Sequence, residues 1–352
     1  MNENTSLLLT YYNEYLFWIF GLVNNITFII LLSASQDLMH NNIRYFGICA
    51  ISPVLFIKIS APFWIKYKFF CYKNRIYIVT ILYIISYLLI SLINNLYLKL
   101  VAIVLAGTAS AIGEITFIPL ASIISNKCIS YWSSGSGFAG LIGSGYYILM
   151  TQVFNLSSNL TLLLLSWMPL LIIICFNKLH FDQDNIEYLD YKKITKEDFK
   201  KWMYNYVFPL LLVYFFEYSI NLGILEKINN NKIEELYPRY NFCYQLGVLI
   251  SRSFNILFPK YNIEFIWIFP ILQMINFIFF ILLVFYKFIT YISIIYILIF
   301  YEGLLGGLSY LFIFQKIRKN ISEDKRELST SIATLGEVTG QICATIFALF
   351  FK

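Results

Sequence analysis

Runs of predominantly apolar residues follow one another through almost the whole of this chain, and no other feature limits its fold so strongly. A helix needs about 20 such residues to cross the hydrocarbon core of a bilayer, where every backbone N–H and C=O must be bonded within the structure. Cutting the sequence at its polar and Pro/Gly-rich breaks gives about eleven spans. They lie near residues 16–34, 45–64, 76–93, 98–119, 131–153, 159–176, 205–224, 240–257, 265–286, 291–314 and 330–350. Composition agrees: 59% of the 352 residues are hydrophobic and 13% charged, against about a quarter charged in soluble domains. The expected fold class is all-α, a polytopic membrane protein with lipid as its solvent.

Several function classes fall away at this point. The net charge of +6 is spread over short loops and forms no basic domain, so a nucleic-acid partner is not expected. The six cysteines contain no C-x-x-C pair, and His40 and His180, the only histidines, fall in polar loops; neither a metal nor another cofactor is expected. No nucleophile–base constellation lies within the spans, so an enzyme is not expected either. The first residues lack the pattern of a cleaved signal peptide, and the first span is expected to be retained. Aromatic residues make up 19% of the chain; they rise together with Ile, Asn and Lys and read as a trait of composition.

Orientation follows from the positive-inside rule. With the N-terminus in the cytoplasm, most of the lysines and arginines fall on the cytoplasmic side, including Lys66, Lys68, Lys73 and Arg75 after span 2 and Lys316, Arg318, Lys319, Lys325 and Arg326 after span 10. The C-terminus is then lumenal, and the sequons at Asn155 and Asn159 fall on the non-cytoplasmic side. A hydrophilic break at 177–204 divides a six-helix bundle, 1–176, from a five-helix bundle, 205–352.

Ionisable side chains inside spans are costly unless they face a partner or a wet cavity, so each marks a candidate site. Six qualify: Lys58, Glu114, Glu217, Arg252, Glu302 and Glu337. Overlaying the two bundles as parallel repeats matches Lys58 in span 2 with Arg252 in span 8 at similar depth, and Glu114 in span 4 with Glu302 in span 10 more loosely. It also sets Asn24 and Asn25 in span 1 opposite Glu217 and Asn221 in span 7. Two readings stay open: the cations and glutamates form fixed pairs, or they line a passage for a small molecule, with protons as a candidate coupling ion. The recurrence of Gly135, Ala139 and Gly143 permits close helix packing. A sharper expectation is that the Trp132-Ser133-Ser134 start of span 5 presents helix N-terminal N–H groups to an anion.

Specific strings then resemble a known family. Phe17-Trp18, Gly21-Leu22, Asn24-Asn25 and Leu32-Ser33-Ala34 in span 1; Gly113 to Phe117; Trp132 to Gly135; Glu217-Tyr218 with Asn221; Tyr244-Gln245 with Ser251-Arg252-Ser253; and Tyr301 to Gly307 together resemble the battenin family of lysosomal membrane proteins. The resemblance implies an eleven-span, two-bundle fold similar to the major facilitator superfamily, residence in a lysosomal or vacuolar membrane, and a part in export and pH balance. It implies a small-molecule substrate, with a glycerophosphodiester or a basic amino acid as the classes, and carries over Glu114, Glu217, Asn221, Arg252 and Glu302 as functional positions. Gln245, Tyr301 and Glu337 join Asn24, Asn25, Trp132, Ser133 and Ser134 as supporting residues. The stretch APFWIKYKFF after span 2 lacks the Gly/Asp/Arg signature of many facilitators. A non-transporting scaffold that regulates acidification and trafficking is the reading from a different class.

Overall fold

The structure, a computed structural model, describes residues 3–34, 37–38, 43–65, 67–180, 194–228, 233–258, 264–288 and 291–351. His40 and residues 181–193 of the 177–204 break lie outside them. Spans one to five correspond to helices α1 (Glu3–Ser33), α2 (Ile43–Trp64), α3 (Tyr72–Leu92), α4 (Leu96–Ile124) and α5 (Asn126–Ile148). Span six is broken into α6 (Ser158–Leu163) and α7 (Leu170–Asn177). Spans seven to eleven are α8 (Lys196–Ile224), α9 (Ile233–Arg252), α10 (Ile268–Tyr286), α11 (Ile292–Asn320) and α12 (Glu323–Phe350).

Among the described residues, seven of these helices (α1, α3, α4, α8, α10, α11 and α12) are long and apolar enough to cross a membrane. The expected eleven are therefore not matched one for one. Composition explains part of the difference: α5 is diluted by glycine and serine, α9 carries Glu234, Glu235 and Arg239, and span six is interrupted, whereas α2 runs over 22 residues, Ile43–Trp64.

Local chemistry sets the helix ends, several of which lie beyond the apolar runs. The Asn95 side chain accepts from the N–H groups of Tyr97 and Leu98 and starts α4. Ser125, the last residue before α5, accepts from Cys128 N–H at 3.0 Å, so α5 begins at Asn126 rather than near 131. A capping box between Thr195 and Asp198 starts α8 at Lys196, inside the stretch read as linker. Two turns of α8, Met203–Val207 and Ile220–Ile224, are π-helical, a local widening that often accompanies functional residues.

The chain forms two compact units, Met1–Lys192 with Glu323–Ser331, and Lys193–Ser322 with Ile332–Lys352. The first nine residues of α12, counted from sequence in the second bundle, thus belong to the first unit. Within each unit the same helix pairs approach backbone to backbone. In the first, Gly21 of α1 faces Gly135 of α5: a Cβ on Gly135 would lie 2.0 Å from the Trp18 carbonyl oxygen, and one on Gly21 2.3 Å from that of Trp132. Gly107 of α4 sits against Ala50 and Pro53 of α2. In the second, Gly336 and Gly340 of α12 meet the Val207 and Leu211 carbonyls of α8, and Gly247 of α9 meets Gly303 of α11. The pairings α1 with α5 and α2 with α4 therefore recur as α8 with α12 and α9 with α11, which is the internal repeat written in helix packing.

Without an apolar driving force between helices in lipid, such close approach supplies the van der Waals attraction that holds them together. Gly135→Leu is expected to cost about 3 kcal/mol or more by overpacking. Gly145→Ala, where a Cβ meets nothing within 4 Å, should be neutral or slightly stabilising. Thermal unfolding of the detergent-solubilised variants checks both.

Candidate functional site

Among the described residues, the flagged Lys58, Glu114 and Asn24 come together in the first unit, and Glu217, Asn221, Arg252 and Glu302 in the second. In the first, Lys58 of α2 and Glu114 of α4 form an ion pair, Nζ to Oε2 2.7 Å, with side-chain exposures of 1% and 15%. Asn24 of α1 lies beside it. The Asn24 amide donates to the Ser110 carbonyl of α4 at 3.3 Å, and the Tyr83 hydroxyl of α3 donates to the Asn24 carbonyl at 2.7 Å. Gly113 makes room for the Asn24 side chain, whose Oδ1 would be 1.9 Å from a Cβ there. Below the amide, the Phe20 ring stacks on Phe117 with centroids 4.7 Å apart, and Phe117 leans on Trp132 at 5.4 Å.

In the second unit α8 and α11 run antiparallel and make two consecutive rungs. The Glu217 carboxyl seats on Gly306, where a Cβ would lie 2.2 Å from Glu217 Oε2. One turn along each helix, the Asn221 amide donates to Glu302 Oε1 at 3.0 Å. The Tyr244 hydroxyl of α9 donates to Glu217 Oε1. Arg252, half-buried at the end of α9, donates to the Tyr214 hydroxyl at 3.3 Å, and its guanidinium carbon stands 4.3 Å from the centre of the Tyr310 ring. Gly307 leaves the space that the Arg252 stem and the Ser251 hydroxyl fill. Glu217 is 2% exposed and Glu302 0%, so both carboxyls carry the desolvation cost of burial.

Not every expected residue joins a cluster. The Asn25 amide bonds back to the Gly21 carbonyl of its own helix at 2.8 Å. Gln245, Tyr301 and Glu337 are half-buried on α9, α11 and α12, and Glu337 lies within electrostatic reach of Arg252. The anion site at the start of span 5 is not formed. Because α5 begins at Asn126, Trp132, Ser133 and Ser134 lie well inside the helix, where N–H groups are already bonded to preceding carbonyls. These three residues serve packing: all are buried, with Trp132 fully enclosed.

The sequence profile of the CLN3 protein family matches residues 15–201 and 182–352, which is nearly the whole chain. The chain belongs to the CLN3, or battenin, family. Protein BTN1 of Kluyveromyces lactis is 34% identical over 364 residues, covering 96% of this chain and 92% of that protein. Battenin of the dog is 28% identical over 394 residues, covering 95% and 89%. Among solved structures, a bacterial homologue of the iron transporter ferroportin in an outward-facing state aligns with a TM-score of 0.66 at 14% identity, covering 96% of this chain and 91% of that one. The human organic anion transporter MFSD10 aligns with a TM-score of 0.65 at 10% identity, covering 97% and 94%. This battenin-family chain is thus a multi-pass membrane protein whose fold is similar to that of solved major facilitator structures.

Sequence reasoning missed the tyrosines of this battenin-family site. Tyr83, Tyr214 and Tyr310 supply the hydroxyl or ring that holds each polar residue, yet a Tyr-rich composition conceals them. Their signal was position: each lies on an apolar helix within a turn or two of the depth of a flagged charge. Arg75 and Glu327, joined at 2.6 Å with 1% exposure each, were missed for another reason. Both sit at helix starts and read as loop charges.

Proposed function

We propose that the chain is a battenin-type transporter of a lysosomal or vacuolar membrane that exports a small anionic metabolite, a glycerophosphodiester being the substrate class, and so contributes to lysosomal pH homeostasis. The observation that carries this reading is Arg252: a guanidinium within the second unit, oriented by the Tyr214 hydroxyl and the Tyr310 ring and half-accessible. A guanidinium held in a fixed plane suits bidentate contact with a phosphodiester. Lys58 is a weaker candidate for that contact, because Glu114 already neutralises it. The proposed orientation keeps the N-terminus cytoplasmic and the C-terminus lumenal.

The test is saturation of glycerophosphodiester uptake by purified protein in vesicles. Arg252→Gln should raise the half-saturating concentration by about 30-fold or more, equivalent to roughly 2 kcal/mol of a charge-assisted contact. An unchanged half-saturation would assign the substrate elsewhere. The carboxyls Glu217 and Glu302 favour a second reading, a basic amino acid as substrate; competition by lysine or arginine, relieved in Glu217→Gln, would select it. A scaffold without transport would show no uptake of either class, and Glu302→Gln would leave the cellular phenotype unchanged.

A further inference from the structure

Glu217 and Glu302 are held differently from Glu114. Glu114 has Lys58 at 2.7 Å. Glu217 and Glu302 have neutral partners instead: one oxygen of each accepts from Tyr244 or Asn221, and the other, Oε2 in both, is buried with no hydrogen-bond partner among the described residues. Neither is hydrogen-bonded to a cation. They occupy adjacent rungs of the α8–α11 contact, Glu217 over Gly306 and Glu302 one turn away, and Glu302 feels the charge of Glu217.

The surrounding groups do not cancel two negative charges. Tyr214 and Tyr218 come from α8, Tyr244 and Arg252 from α9, Tyr310 from α11 and Glu337 from α12. The buried face of α10, with Phe269, Gln273, Asn276, Phe277 and Phe280, offers no titratable group. The cation among these described groups, Arg252, is engaged by Tyr214 and Tyr310 and lies within electrostatic reach of Glu337 as well. Two buried carboxylates one rung apart are penalised by desolvation and by like charge, and binding one proton removes most of both penalties.

We propose that Glu217 and Glu302 form one proton-binding unit, in which a single exchangeable proton sits on the Oε2 edge of the pair and its uptake and release couple substrate movement to a pH gradient. In chemical terms a carboxylate oxygen takes a proton from water on one side to give a neutral acid, and the acid returns it to water on the other. Asn221 keeps its donor on Glu302 Oε1, which leaves Oε2 as the edge that gains and loses the proton. The coupling half of this proposal rests on the transporter reading above; the proton-binding half does not.

Infrared difference spectroscopy of the purified full chain tests proton binding without any substrate. The wild type should show the carbonyl stretch of a protonated carboxylic acid at neutral pH, shifted in heavy water. The band should vanish in Glu302→Gln or in Glu217→Gln, whichever of these near-isosteric variants folds, and persist in Glu114→Gln. Absence of the band in the wild type, or its survival in both variants, overturns the proposal. Vesicles then test coupling: an imposed pH gradient should drive accumulation of labelled glycerophosphodiester by the wild type, whereas Glu302→Gln should retain exchange of substrate for substrate but fall to the level seen without a gradient. Wild-type transport that ignores the gradient overturns the coupling half. A wild type that shows the band yet moves no glycerophosphodiester supports the proton site and refutes the transport reading instead.

Discussion

Arg75→Ala is expected to destabilise the first unit by about 3–5 kcal/mol, because removing one member of a buried ion pair strands the other. The Arg75 guanidinium donates to Glu327 Oε1 at 2.6 Å, both side chains are 1% exposed, and the Tyr72 ring lies 4.3 Å from the guanidinium carbon. The contact fixes the start of α12 in the first unit, with Arg326 donating to the Ser122 carbonyl at 3.3 Å nearby. The double variant Arg75→Leu, Glu327→Leu should recover most of the loss, since a well-packed apolar pair avoids the desolvation of two charges. Thermal unfolding of the single and double variants measures both effects. If Arg75→Ala unfolds like the wild type, the pair is incidental to the fold.

Lys58→Ala should cost a similar amount, about 3–5 kcal/mol, by leaving Glu114 without its partner at the centre of a bundle. Here the informative variant is again the double one. Lys58→Met with Glu114→Leu should restore stability, and the closed 2.7 Å pair predicts that glycerophosphodiester uptake survives with it. A double variant that is folded but inactive would instead place the pair on the substrate's path, the reading that its position within the spans first suggested.

That ambiguity shows what the sequence carries and what it does not. The spans are legible because lipid leaves so few alternatives: an apolar run of sufficient length must be a helix. The intramembrane charges are legible for the same reason, and all six are on helices where expected. Their partners are not legible. Sequence depth matched Lys58 with Arg252, and packing then gave the first a carboxylate and the second two tyrosines. Small shifts in helix register decide such choices, as the Asn24–Gly113 and Glu217–Gly306 contacts show, and hydropathy is blind to them.

Helix ends were misread where polar caps extend a helix past its apolar run. Ser125 moved the start of α5 upstream and dissolved the expected anion site at Trp132 to Ser134. Thr195 and Asp198 drew part of the expected linker into α8. In both places the capping residues are present in the sequence, but the polarity that makes them caps also makes them read as loop.

The most direct test of the central claim is net accumulation of a labelled glycerophosphodiester in vesicles containing only the purified chain, with the outside more acidic than the inside or the reverse. The wild type should accumulate label above the level of protein-free vesicles under one of the two gradients, and Glu302→Gln should not. A folded wild-type protein that accumulates nothing beyond protein-free vesicles under either gradient would contradict that claim.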